Sequence, residues 1–450
     1  MRTGGFWPRE KWGIYPSLRG PHQADAVIVG GGFTGMTTAL WLCRAGLRVT
    51  LLEAETLACG ATARCAGMLS LVDRAMLASL EKSRGPETAG AFLRSRMAAF
   101  GAVRSLALEA EDGLEWLDAD AHLLAAARGE RLGAEAEALR RAGAAAKAHT
   151  SGSAPLPAER ILTLRDMACL NPMKYYRCLV ERALSLGLVI YEHSRVTELE
   201  TNLARTALGQ VKAPYVVIAT GYPLVNVPGW YFLRLRQRRR GLFGVPSCTP
   251  ADGMFYDAAG RYALRHWQDG MLLQMDLGGV GQLREEDARQ RYQRLMAPYL
   301  GDAGPVYEGV ECFSADGLPY IGAYSHKTPN LFVATGYGGN GLLGSMTAAQ
   351  LISARVLGLA ADSAYVFSGQ RSGNSVVGRE IASAVGMAGR YAGSMLRLFA
   401  PRCPHMGCRL VYSHSRRIWE CPCHGSRFDD IGHLLNAPAT EDAIIRHRRV

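Results

Sequence analysis

No apolar run in these 450 residues approaches the ~20 that a helix needs to cross a bilayer. The sequence therefore reads as having no transmembrane segment. The first twenty residues carry Arg2, Arg9, Glu10, Lys11 and Trp12, and lack both an apolar core and a small-residue cleavage site. No signal peptide is expected, and a cytoplasmic location is. No recognised nucleic-acid module accompanies the net charge of +11, so nucleic acid is not expected as a partner. Part of that charge is local, because Arg234, Arg236, Arg238, Arg239 and Arg240 fall within seven residues. The run reads as a solvated face or loop, with docking of an acidic partner as the alternative. Charged residues make up only 20% against 48% hydrophobic, enough to bury a large core in two or three domains.

Cysteine, by contrast, is plentiful at 11. Seven are scattered from Cys43 to Cys312, mostly in apolar contexts, and read as buried thiols. Cys403, Cys408, Cys421 and Cys423 crowd into 21 residues and mark a site.

Residues 26–53 spell strand, glycine turn, helix, strand and acid. Gly30, Gly32 and Gly35 fill the G-x-G-x-x-G positions after an apolar Ala26–Val29. The first glycine allows a tight turn, the second close approach to a pyrophosphate, and the third close packing of helix on strand. The helix N-terminus then offers free N–H groups to phosphate. Glu53 ends the second strand 18 residues after Gly35. A carboxylate there can accept from both ribose hydroxyls and would repel a 2′-phosphate. The alternative is a glycine turn in some other α/β unit.

Along the rest of the chain, residues 1–25 form an aromatic lead-in. Cys59–Met68 is a small-residue loop containing Arg64, open to a flat cofactor. Residues 71–150 read as helical, Ala-rich and solvated. Asn171 and Pro172 start a helix that ends near Gly187. Strands are expected at 188–191, 195–199, 213–221, 262–265 and 271–275. Asp316–Gly322 reads as a turn into a strand, and Asn330–Gly341 as a strand into a glycine-rich loop with a helix behind it.

Four of these motifs, taken in order, make residues 24–360 resemble the FAD-dependent amine and amino-acid oxidase family, which includes glycine oxidase, sarcosine oxidase and D-amino-acid dehydrogenase. The resemblance implies an α/β Rossmann-like FAD domain with an α+β substrate domain. It implies FAD held at Gly30, Gly32, Gly35 and Glu53, with Arg64 and Gly67 near the flavin and Val196 at the adenine. Gly336, Gly338, Asn340 and Gly341 then belong to the loop at the isoalloxazine. One departure stands out. Relatives commonly carry a carboxylate-binding arginine before the Asp-Gly-Leu-Pro turn, where this chain has Gly309-Val310-Glu311-Cys312. A carboxylate does not bind a carboxylate at neutral pH without a proton or cation. Either Arg265 supplies the clamp, or the substrate is a cationic amine that suits Glu311, or Glu311 is a surface residue. Arg265 and Glu311 are the only catalytic candidates.

At the C-terminus, Cys403-x-His405 is followed after 15 residues by Cys421-x-x-His424. Two thiolates and two imidazoles also suit tetrahedral zinc. The surrounding Cys-Pro-Cys-His-Gly-Ser, however, resembles the Rieske [2Fe–2S] signature. That resemblance implies a small all-β domain with Cys403, His405, Cys421 and His424 as ligands and a potential of roughly −150 to +300 mV. In high-potential Rieske proteins the positions of Cys408 and Cys423 form a disulfide, which the resemblance implies here. The strands before the first loop look shortened. Between Gln370 and Arg402 only Ser394–Phe399 offers one, unless a helix over 375–400 substitutes. Gly278–Gly281 also lacks the His and Lys that flavoproteins fused to Rieske domains often carry.

The expected division is 1–370 for the FAD-dependent part and 371–450 for the Rieske domain. Within the first, about 24–70, 165–225 and 311–360 bind nucleotide, and about 71–160 and 226–310 form the substrate region. The function implied is oxidation of an amine-type C–N bond, with electrons passing through the cluster to an external acceptor. The alternatives are an oxidase using O2 beside a structural or regulatory cluster, and a redox sensor or electron-transfer module without catalysis.

Overall fold

The computed structural model describes residues 5–8, 10–126, 132–150, 154–225, 229–246, 248–249, 251–281, 287–371, 385, 401–414 and 416–445. Its centre is a six-stranded sheet in the order Tyr320–Ser325, Thr328–Thr335, Tyr215–Ile218, Ala26–Val29, Val49–Leu52, Val189–Tyr191. All neighbours are parallel except the edge pair 320–325 and 328–335. Ala26–Val29 and Val49–Leu52 are buried throughout, as strands covered on both faces must be. Helix Phe33–Arg44 packs between helices Pro172–Ser185 and Gly341–Val356. Asn171 caps the second of these through its side chain, which accepts from Met173 N and Lys174 N, and Pro172 takes the first helical position. The lead-in is pinned by buried Trp7 and Trp12. Trp7 Nε1 donates to Cys65 O at 2.8 Å.

A second, nine-stranded sheet runs from Val306–Ser314 through Leu235–Val245, Gly270–Gly279, Tyr262–Trp267, Met254–Asp257, Leu117–Ala125 and Arg160–Cys169 to Met68–Leu69, with Ala146–His149 paired to 160–169. The all-helical expectation for 71–150 is thus corrected. Leu77–Arg84, Pro86–Leu108 and Leu132–Arg141 are helices, but Leu117–Ala125 and Ala146–His149 are strands. The Ala- and Leu-rich 117–125 segment is drawn into the sheet by pairing on both edges, with 160–169 and with 254–257. Tertiary pairing there outweighs local propensity.

The arginine run is corrected too, since Arg234 ends the short helix Tyr231–Arg234 and the other four lie in the Leu235–Val245 strand inside this sheet. Arg236 is exposed, but Arg239 and Arg240 are buried. Carboxylates from neighbouring strands make this possible. Arg238 pairs with Asp276, Arg239 with Glu308 at 3.5 Å, and Arg240 with Glu311 at 3.4 Å.

The C-terminal unit is a four-stranded antiparallel sheet, Val411–Ser413, Ile418–Glu420, Arg427–Phe428 and Leu434–Asn436. Glu420 is buried between Arg416 and Arg427, each 2.7 Å away. Burial works to raise its pKa, and the two guanidiniums outweigh it and hold the carboxyl at about 2. The expected strand at Ser394–Phe399 and the helix over 375–400 lie outside the described residues. Among the described residues, no helix is long and apolar enough to cross a membrane.

Candidate cofactor and cluster sites

The glycine turn closes tightly because its neighbours leave no room for side chains. Gly30 has φ +110°, and a Cβ there would lie 2.6 Å from Ala219 O. A Cβ on Gly35 would lie 1.9 Å from Gly30 O, so the 33–44 helix sits directly on the loop. Gly32 caps that helix with no side-chain hydrogen bond, and the first turn holds no acidic residue. Glu53 Oε2 accepts from Gly31 N at 2.7 Å and Oε1 from Glu55 N at 2.8 Å. Burial raises its pKa while these two N–H groups pull against it. Each oxygen keeps a second lone pair, as acceptance from ribose hydroxyls requires.

From this loop a cavity of about 380 Å³ runs past Val196 and Gly67 to Gly338–Leu342. The N-terminus of the 341–356 helix opens onto it, again without an acidic first turn or a side-chain cap. Asn340 Nδ2 instead donates to Ser70 O at 3.2 Å. Two helix ends free of acidic side chains, the first with Phe33 N already donating to Thr62 Oγ1 at 3.1 Å, a cradle only glycine can form and a half-buried carboxylate with spare acceptors together fit FAD. Of the positions expected to hold it, Gly30, Gly32, Glu53, Gly67, Val196, Gly338, Asn340 and Gly341 line the cavity. Gly35 lies behind Gly30. Gly336 makes a turn at φ +77° against Leu235 and Ser314. Arg64 lies outside the lining, with its guanidinium on the carbonyls of Cys59 and Gly60 at 2.9 and 2.7 Å.

The two catalytic candidates separate. Arg265 lies outside the lining, donating to Leu170 O at 3.1 Å with its guanidinium over the Trp7 ring. Glu311 is in the wall. Its Oε1 accepts from Gln274 Nε2 at 3.0 Å, and its Oε2, 3.4 Å from Arg240 Nε, accepts no hydrogen bond. Burial pushes its pKa up, with Arg240 opposing. Glu311, Arg240 and Asp73 converge on Gly339, where a Cβ would meet all three within 3.7 Å. Sequence reasoning missed Arg240, Gln274 and Asp73. The available signal for Arg240 was the period-2 spacing of Arg236, Arg238 and Arg240, which puts them on one face of a strand.

The two C-terminal loops repeat one design. Cys403 N donates to Cys408 O at 2.8 Å and Gly407 N to Cys403 O at 2.9 Å. Cys421 N donates to Ser426 O at 2.8 Å and Gly425 N to Cys421 O at 3.0 Å. Gly407 and Gly425 take φ of +74° and +88°, where other residues are strained. The His405 and His424 rings face each other edge to face, centroids 4.9 Å apart. Burial, and His424 beside it, push the pKa of His405 down to about 4, which leaves it as the neutral imidazole that ligates metal. His424 Nδ1 is buried with no hydrogen-bond partner. This donor set fits a cluster held by two thiolates and two imidazoles.

The expected Cys408–Cys423 disulfide is not formed, and both residues are thiols. The sulfurs of Cys408, Cys421 and Cys423 share one space within 4.8 Å. Cys408 contacts both Cys421 and Cys423, rather than closing on one partner at the ~2.05 Å of an S–S bond.

Comparison with known proteins accords with both sites. The FAD dependent oxidoreductase family matches residues 25–355, and the Rieske [2Fe-2S] domain matches residues 359–446. YhfW of Bacillus subtilis (strain 168), provisionally named a Rieske 2Fe-2S iron-sulfur protein, is 24% identical over 476 residues, covering 94% of each chain. Glycine oxidase from Geobacillus kaustophilus superposes with a TM-score of 0.64 at 22% identity, over 78% of this chain and 99% of that one. The cytochrome b6-f complex iron-sulfur subunit of Nostoc punctiforme is 33% identical over 48 residues, 11% of this chain and 27% of the subunit. The chain belongs to the FAD-dependent oxidoreductase family and carries a C-terminal Rieske domain, with FAD and a [2Fe–2S] cluster as its cofactors.

Proposed function

We propose that this protein oxidises an amine-type C–N bond and passes the electrons through its Rieske cluster to an external acceptor. Residues 1–370 hold FAD and substrate, and residues 371–450 hold the cluster. Gly30, Gly32, Gly35, Glu53, Arg64, Gly67, Val196, Gly336, Gly338, Asn340 and Gly341 shape the FAD site. Cys403, His405, Cys421 and His424 ligate the cluster. Bound FAD supplies two-electron oxidation, and the cluster one-electron transfer.

The observation that carries the substrate class is Glu311 Oε2, a buried acceptor in the cavity wall with no hydrogen bond made to it. An ammonium completes its coordination. A substrate carboxylate would meet this oxygen as a like charge. Arg240 and Gln274 orient the Glu311 carboxylate, and its raised pKa suits Oε2 to take the proton the amine loses. Tyr256 and Tyr262 also line the cavity.

The first test is the visible spectrum, EPR and iron and zinc content of anaerobically purified protein before and after dithionite, followed by a panel of amines. Bleached flavin bands with a mixed His/Cys cluster signal, and amine turnover coupled to a one-electron acceptor, support the reading. Peroxide formation with the cluster left oxidised would replace it with the oxidase alternative. Glu311→Gln is expected to lower kcat/KM by about 100-fold or more, within the range for a lost general base. The base acts only when ionised. Wild-type kcat/KM therefore falls as pH drops through the raised Glu311 pKa, and the variant loses that acid limb.

A further inference from the structure

The second cluster loop, Cys421–Ser426, is wedged into the FAD-binding part. On one side lies Gly281, at φ +72°, where a Cβ would come within 2.5 Å of Pro422 Cα and 2.9 Å of Cys421 C. Gly281 N also donates to Glu420 Oε2 at 2.9 Å. On the other side lies Gln237, from the Leu235–Val245 strand. Its Nε2 donates to His424 O at 2.9 Å and to Ala437 O at 2.7 Å, and its Oε1 accepts from Asn436 Nδ2 at 2.7 Å. A Cβ on Gly425 would press on the Gln237 side chain at 3.0 Å. Phe232 closes the junction, edge to face with His424 at 5.6 Å between centroids and with His405 at 6.5 Å.

Gln237, His424 and Phe232 are all buried. Gln237 also lines the FAD cavity, together with Asn436 and Ala437 from the Rieske side. One side chain thus touches the cavity and holds the carbonyl of a cluster ligand. The other ligand loop differs. His405 is only half-buried, and Pro404 and Met406 flanking it are exposed.

We infer that Gln237 and Phe232 are positioning residues that fix His424 against the wall of the FAD cavity. His424 is thereby the cluster ligand through which electrons enter, while the His405 side is left for delivery. This rests on the relay reading above. Two electrons leave the substrate per C–N bond oxidised. The cluster carries one at a time, Fe3+ to Fe2+, so a one-electron acceptor reoxidises it twice per turnover.

The test uses the full-length holoprotein as wild type, Gln237→Ala and Phe232→Leu, matched for flavin and iron content. Flavin is photoreduced anaerobically with EDTA as donor, and cluster reduction is followed by freeze-quench EPR. Amide exchange over residues 421–426 is measured in parallel. Gln237→Ala removes three hydrogen bonds, and exchange there is expected to quicken by about 10-fold or more. Both variants are expected to reduce the cluster more slowly than wild type, Phe232→Leu with a shifted EPR signal from the altered histidine surroundings. A wild-type cluster that stays oxidised beside reduced flavin would overturn the relay itself. Wild-type transfer rates in both variants, with exchange unchanged in Gln237→Ala, would overturn this inference and leave the relay standing.

Discussion

Gly35→Ala is expected to yield a protein that purifies without flavin and unfolds at markedly lower urea. The methyl group would lie 1.9 Å from the carbonyl oxygen of Gly30 and 3.3 Å from Ile28 Cγ2. Its obstacle is backbone of the same turn, not the far end of a flexible side chain, so no rotamer relieves the clash. The 33–44 helix has to lift off the sheet, and it is held there by the 172–185 and 341–356 helices. Overpacking of this kind costs about 3 kcal/mol or more, and the lift also moves the helix N-terminus that faces the phosphates. Gly32→Ala separates the two effects. A Cβ there would meet only Thr62 Oγ1, at 3.2 Å, so the fold survives while the approach to the pyrophosphate narrows. Urea midpoints and flavin-to-protein ratios after gel filtration check both. A Gly35→Ala protein with wild-type midpoint and flavin content would show that close approach at this turn is not what the glycine provides.

The parts of this molecule legible in the sequence are those in which one local segment does the whole job. The 26–53 unit declares itself because tight turn, close packing and acceptor sit within one strand–helix–strand. The Rieske loops do so because each puts a thiol, an imidazole and a left-handed glycine in a few consecutive residues. What stayed hidden depends on partners far along the chain. Arg239 and Arg240 read as solvated because Glu308 and Glu311, which make their burial tolerable, belong to another strand. Leu117–Ala125 has helix-forming composition, and only its pairing partners make it a strand. As sequence, Arg265 reads as the candidate clamp and Arg240 as one member of a charged run. Only the sheet register places Arg240 on Glu311 and sends Arg265 to Leu170 O and Trp7. The Cys408–Cys423 pairing was expected from positional analogy, and the placement of Cys421 beside both sulfurs is a three-dimensional fact with no linear trace.

Arg371 is a further residue of this non-local kind, and its loss is expected to be strongly destabilising. It follows the short helix Ala364–Phe367, and its guanidinium reaches back to the Asp316 turn. Nε and Nη2 each donate to an Asp316 carboxylate oxygen at 2.7 Å. Nη2 also donates to Leu318 O at 2.7 Å, and Nη1 to Pro319 O at 2.9 Å and to Phe367 O and Ser368 O at 3.2 Å. The group stacks on Tyr320 at 3.9 Å from the ring centroid. Side-chain exposure is 1% for Arg371 and 6% for Asp316, so water cannot replace the lost partner. Arg371→Ala takes the guanidinium away from a buried carboxylate that keeps the Leu318 N–H at 3.2 Å, and breaking a buried pair from one side costs about 3–5 kcal/mol. Arg371→Lys restores a point charge but not the fork, and recovers only part of the loss. The pH dependence has a defined sign. Burial works to raise the Asp316 pKa, yet the Arg371 hydrogen bonds and charge outweigh it and hold the carboxyl below its ordinary value. A depressed carboxylate contributes stability above its unfolded pKa of about 3.9 and loses it as pH falls through the folded value. In Arg371→Ala only the Leu318 N–H and the Arg84 charge are left to oppose burial, so the gap between wild type and variant is widest near neutrality and narrows below about pH 4. Urea unfolding at pH 7, 5 and 3.5 measures that gap. A gap constant across this range would mean that Arg371 acts through packing on Tyr320 and not through the Asp316 charge.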